Sequence, residues 1–131
     1  MKACIVYSYN CQLTTAPLGL SKWLFLPRKE SNTTPYDEIL DQRLGSNLLL
    51  VASEDFSQID VQRIGPLESE LGFTSMKLVP DTNEILAIKV LEINDQTKTF
   101  ITAFDLQGNF YLEPWMELVS STIKYEGLAF L

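Results

Sequence analysis

The chain has 131 residues, a formal net charge of −7 and a pI of about 4.5, enough for one ordinary domain. So acidic a surface argues against a nucleic-acid partner and repels a free nucleotide unless a cation neutralises the site. With 46 % hydrophobic and 21 % charged residues the chain reads as globular, and it contains no histidine. That absence removes imidazole acid–base catalysis, Ser-His-Asp and Cys-His nucleophiles and most zinc sites, leaving carboxylates, hydroxyls, Lys/Arg or a hard metal such as calcium.

Residues 1–21 mix Cys, Tyr, Thr and small apolar residues without a sustained period, and Pro17 and Gly19 break whatever forms. Residues 1–7 carry one positive charge, but the apolar stretch stops at Ser8-Tyr9-Asn10, too short for a signal peptide. No apolar run approaches the roughly 20 residues of a membrane span. Cys4 and Cys11 fit no metal or redox spacing; they read as two ordinary thiols, or as a local disulfide in an oxidising compartment.

Strand signals begin at Trp23-Leu24-Phe25-Leu26, stopped by Pro27. A polar loop over 28–46 follows. It holds a formal glycosylation sequon at Asn32-Thr33-Thr34 and a charge cluster of Asp37, Glu38, Asp41 and Arg43, read as a solvated face. Residues 47–53 are apolar on both faces and predict a buried strand; 59–64 alternate partly and predict a half-exposed one. Strand signals at 73–79, 85–93, 99–106 and 110–112 are linked by Pro80-Asp81-Thr82-Asn83, Asn94-Asp95-Gln96-Thr97 and Gln107-Gly108-Asn109. Links this short and turn-rich predict one antiparallel four-stranded meander over 73–112. Such a meander is the unit of a propeller blade and equally a piece of a sandwich or barrel. Residues 113–121 suit a helical turn or a loop, and 123–131 predict a last strand without a local partner.

Two places invite chemistry. Arg28 and Lys29 follow a strand and open the long loop. They suit phosphate contact, Arg28 above all, or else anchor the loop to carboxylates. Glu126 is a single carboxylate in an aromatic and aliphatic run, either solvated or buried with a compensating cation.

Four stretches, taken in order, resemble a known family: Trp23-Leu24-Phe25-Leu26-Pro27-Arg28-Lys29, Gly45-Ser46-Asn47-Leu48-Leu49-Leu50, Gly72-Phe73-Thr74-Ser75-Met76-Lys77-Leu78-Val79-Pro80 and Ile123-Lys124-Tyr125-Glu126-Gly127-Leu128-Ala129-Phe130. Together they resemble the C-terminal part of the calcium-activated nucleotidases, or soluble apyrases, from Lys22 to Leu131. The resemblance implies an all-β fold: about two antiparallel four-stranded blades of a five-bladed β-propeller over 22–131, behind a divergent segment 1–21. It implies a calcium ion (Ca2+) in the central tunnel and hydrolysis of nucleoside diphosphates, often triphosphates, with release of terminal phosphate. Glu126 would correspond to a tunnel glutamate that holds the calcium, and Thr74 to a tunnel position that is usually serine. Thr74 and Glu126 should then lie close together at the inner ends of neighbouring blades. The family works in the secretory pathway or outside the cell. Two departures point the other way. Where the family has a His-Glu pair, this chain reads Tyr9-Asn10-Cys11-Gln12-Leu13, and the preceding blades have no counterpart here. The alternative expectation is therefore a non-catalytic pseudoenzyme or β interaction module; separately, the exposed blade edges of an incomplete propeller predict self-association.

Overall fold

The computed structural model describes residues 12–15, 21–30, 37, 39–112 and 116–131. Cys4, Cys11, the sequon at Asn32 and Glu38 lie outside these residues. Eight strands follow in chain order: β1 (Gln12–Thr15), β2 (Ser21–Phe25), β3 (Leu48–Ser53), β4 (Ile59–Arg63), β5 (Leu71–Leu78), β6 (Glu84–Ile93), β7 (Gln96–Asp105) and β8 (Glu117–Ser120). Among the described residues of the link from β2 to β3 lies a 3-10 turn, Leu40–Arg43. The strands form two antiparallel sheets in sequential order, β1-β2-β3-β4 and β5-β6-β7-β8, so the all-β expectation holds. Among the described residues no helix is long and apolar enough to cross a membrane.

In the first sheet, β3 takes one of the two inner positions, as its apolar sequence requires, with Trp23 opposite Ala52 and Leu50 opposite Val61. Strand β1 was not legible. Its four residues lack an alternating pattern and owe their conformation to pairing with β2, Leu13 opposite Trp23.

In the second sheet β5, β6 and β7 lie where the turn signals place them. Asn94 and Asp95 both have positive φ, 52° and 61°, as a two-residue hairpin turn requires. The link is thus shorter than the expected 94–97, and pairing runs from Ile93 opposite Gln96 to Glu84 opposite Asp105.

Two expectations fail here. The fourth strand is not 110–112 but β8, inside a stretch read as a loop or helical turn. Asp105 is the cause. Its Oδ1 accepts the N–H groups of Gln107 and Asn109, both at 2.9 Å, and its Oδ2 accepts Asn109 Nδ2 at 2.9 Å and the Tyr111 hydroxyl at 3.1 Å. Burial pushes this carboxyl's pKa up, but the hydrogen bonds outweigh it and hold the pKa below the ordinary value. So fixed, the chain folds back on itself, and Phe110 contributes only one bridge to the sheet, opposite Phe104.

The second failure is the expected strand over 123–131, which does not form. Strand β8 already covers the outer edge of β7, so the tail crosses from β7 towards β5 instead. It is held by side chains. Ser120 Oγ accepts the N–H groups of Thr122 and Ile123 at 3.2 and 2.9 Å, and Thr99 Oγ1 donates to the Ile123 carbonyl at 2.6 Å and accepts the Tyr125 N–H at 3.2 Å.

One core joins the sheets. Leu24, Leu26, Leu49, Val51 and Ile64 from the first half meet Phe73, Met76, Ile85, Ala87 and Phe104 from the second. Gly45 makes this approach feasible. A Cβ there would stand 2.2 Å from the Leu71 carbonyl oxygen, so any larger residue would push the loop off the start of β5.

Candidate phosphate and cation site

The site begins at an irregularity in β5. Phe73 pairs with Lys89 and Ser75 with Ile88, leaving Thr74 as the extra residue of a bulge. A bulge re-aims the side chain it carries, and here Thr74 Oγ1 donates to the Tyr125 carbonyl at 3.2 Å. Thr74 and the residue next to Glu126 therefore touch, as expected. The meeting takes place within the second sheet, between β5 and the tail, and not between two sheets.

Glu126 is exposed yet paired. Its Oε1 lies 2.6 Å from Lys124 Nζ, and the same nitrogen lies 3.0 Å from Glu92 Oε1. Glu92 Oε2 in turn accepts Arg28 Nη2 at 2.5 Å. Glu126, Lys124, Glu92 and Arg28 thus form an alternating chain of charge. The hydrogen bond from Lys124 holds the Glu126 carboxyl below its usual range. Reciprocally, that bond raises the Lys124 pKa; partial burial opposes this and Glu92 adds to it.

Arg28 reaches Glu92 because β5 offers a glycine. A Cβ on Gly72 would fall 2.8 Å from Arg28 Cγ. Beside this pair opens a cleft of about 230 Å³ whose lining includes Arg28, Lys29, Gln42, Glu70, Gly72 and Glu92. The neighbouring charge cluster is used structurally. Asp37 Oδ1 accepts the N–H groups of Ile39 and Leu40 at 3.0 and 2.8 Å, and Arg43 pairs with Glu70 at 3.3 Å.

Lys89 lies close to this region on β6. It is only 3 % exposed, with Nζ 4.4 Å from the centre of the Phe73 ring. Burial lowers its pKa from 10.5 to about 8, partly opposed by Glu68. In the interval from about pH 8 to 10.5 the unfolded chain holds a proton that the folded chain has released, so stability rises with pH there. Below that interval the cost of burying the charge is complete. Relative to Lys89→Met, the urea midpoint of the native chain should climb across this window; parallel pH profiles would refute the assignment.

A calcium ion asks for six to eight oxygens. The Thr74 hydroxyl, the Tyr125 carbonyl and the carboxylates of Glu92 and Glu126 are donors of the right hardness. Both carboxylates, however, are already matched by an ammonium or a guanidinium. Among the described residues no three His, Cys, Asp or Glu side chains gather as a metal-ligating group. As it stands, the arrangement does not fit calcium.

Glu92 and Lys124 had escaped the sequence reading. A signal existed for Lys124, which stands two residues before Glu126 and shares its face in an extended chain. Glu92 had none, since a glutamate on a strand reads as a solvated residue.

Every member of the charge chain falls within residues 18–131, the stretch that matches the sequence model of the apyrase family. The chain belongs to the apyrase family. It is 43 % identical over 114 residues to soluble calcium-activated nucleotidase 1 of Mus musculus, covering 86 % of this chain and 27 % of that protein. It is 42 % identical over 114 residues to the protein of the same name in Rattus norvegicus, with the same coverage of 86 % and 27 %. Against an apyrase of Caenorhabditis elegans it is 35 % identical over 113 residues, 83 % of this chain and 31 % of the relative. This apyrase chain therefore spans about 27–31 % of the length of these curated relatives.

Proposed function

We propose that this chain supplies part of the site of a nucleoside-diphosphate phosphohydrolase, with Arg28 as its phosphate contact. One observation carries the reading. Arg28, Thr74 and Glu126 come from three distant stretches, yet Glu92 and Lys124 join Arg28 to Glu126 and Thr74 reaches the adjoining Tyr125 carbonyl, one cluster with a cleft beside Arg28 and Glu92. Arg28 presents a guanidinium suited to two phosphate oxygens, held in place by Glu92 and by the glycine behind it. Lys29 adds positive charge at the same rim. In this reading the two sheets over 22–131 are two blades of a five-bladed propeller, 1–21 is a divergent start, and the substrate is a nucleoside di- or triphosphate met in the secretory pathway or outside the cell. The calcium named in the mouse and rat relatives would be met by Glu126 and Thr74 only with further donors.

A second reading, a non-catalytic module, draws support from Lys124 occupying the Glu126 carboxylate. Self-association belongs to it. Strand β4 exposes Ile59 and Val61 and strand β8 exposes Leu118 and Val119, apolar residues on edge strands that invite pairing.

Calorimetric titration with uridine diphosphate at low salt tests the phosphate contact. Arg28→Ala should weaken binding by about tenfold or more, the scale of a charge-assisted hydrogen bond. Unchanged affinity in a folded variant would remove Arg28 from the site.

A further inference from the structure

We infer that Arg63, acting through Glu30, is a positioning residue for Arg28. The inference rests on the phosphate contact proposed above and adds the device that holds it in place. Arg28 belongs to the loop after β2, yet its guanidinium meets Glu92 on β6. Its backbone must therefore be fixed against a different sheet. Backbone contacts do part of this. The Ser46 N–H donates to the Arg28 carbonyl at 3.2 Å, Lys29 bridges to Gly45, and the Glu30 N–H donates to the Leu44 carbonyl at 2.9 Å. They tie the ends of the loop together at its base. Contacts this few, outside any strand ladder, open locally unless something braces them.

The brace is a side-chain network around Glu30. Arg63, the last residue of β4, sends Nη1 to Glu30 Oε1 and Oε2, both at 2.8 Å, and to Asn47 Oδ1 at 3.0 Å. Ser46 Oγ donates to Glu30 Oε2 at 2.7 Å and accepts the Leu48 N–H at 3.0 Å, and Asn47 Nδ2 donates to the Gly65 carbonyl at 2.8 Å. Ser46 and Asn47 are buried, 0 % and 4 % exposed, so their polar groups are committed to these partners and cannot exchange them for water. The serine that supports the Arg28 carbonyl is thus the one that holds Glu30. Arg63 closes the network and also neutralises Glu30. Left unpaired, that carboxylate would stand near the phosphate contact in the chain and repel the phosphate.

Nitrogen-15 NMR of the Arg28 Nε–H, identified by its loss in Arg28→Ala, and calorimetric titration with uridine diphosphate at low salt test this on the full chain. In Arg63→Met the Arg28 signal should move, and the nucleotide should bind about threefold to fivefold more weakly, the scale of a partly exposed ion pair. Arg63→Lys should restore both, since every Arg63 contact uses one nitrogen and an ammonium carries several donors. In an Arg28→Ala background Arg63→Met should cost nothing further. An Arg28 signal unmoved in folded Arg63→Met overturns the inference. So does unchanged affinity in Arg63→Met beside a weakened Arg28→Ala, or an equal loss with and without Arg28, which would reduce Arg63 to general charge. If the signal moves while Arg28→Ala and the native chain bind alike, the phosphate reading fails and the positioning of Arg28 stands. Should Arg63→Met fail to fold, Glu30→Gln, which loosens the same contact, is read in its place against the same outcomes.

Discussion

Phe104→Ala should lower folding stability by about 3–5 kcal/mol, the range for deleting a fully buried aromatic ring. The ring is 0 % exposed and lies between Phe73 and Phe110, with centroid distances of 6.4 and 6.1 Å. It sits in a cluster that both sheets share, so the cavity would open at their junction, where neither sheet can close it alone. Against a total of about 5–15 kcal/mol for an ordinary domain, the loss is severe. Urea unfolding followed by far-ultraviolet circular dichroism measures it, with Leu118→Ala on the exposed β8 as a control expected near zero. A Phe104→Ala loss below about 1 kcal/mol would mean that the sheets do not depend on a common core.

Purified chain should release phosphate from uridine or guanosine diphosphate at least about a thousandfold more slowly than a complete apyrase, with millimolar calcium or with a chelator. Phosphoryl transfer depends on positioned water and preorganised charge around the phosphates. Groups that act as a unit lose nearly all catalysis when several are missing. This chain spans 27 % of its mouse relative, has no histidine and has no carboxylate beside Gln12. Its Glu126 is bound to Lys124. Calcium-dependent turnover that vanishes in Glu126→Ala would defeat this expectation.

What the sequence disclosed depended on where the determining interaction lay. Strands β5 to β7 were legible because local turn chemistry at Asp81, Asn94 and Asp95 sets them. Strand β8 was not, because Glu117-Leu118-Val119-Ser120 is largely exposed and shows no burial pattern. The turn after β7 depends on one aspartate collecting backbone and side-chain donors from both sides, which leaves no period to detect. For the site, the resemblance put Thr74 and Glu126 near one another, and their stretches do meet at Tyr125. The bulge that aims Thr74, and the bridging role of Glu92, arise from register and from contacts distant in sequence, so no single stretch could reveal them.

The tail has a dynamic consequence. Among the described residues it is fastened by hydroxyl groups and ion pairs, with no ladder of backbone hydrogen bonds to a strand. Residues 121–131 therefore form a separate unit of opening, able to lift away while all eight strands stay paired. Their amides should exchange with deuterium long before those of β6, and rising ionic strength should hasten that exchange by screening Lys124 from Glu92 and Glu126. Detachment would carry Glu126 with it and leave Thr74 behind, so the integrity of the whole cluster is set by the free energy of this local opening and not by that of global unfolding.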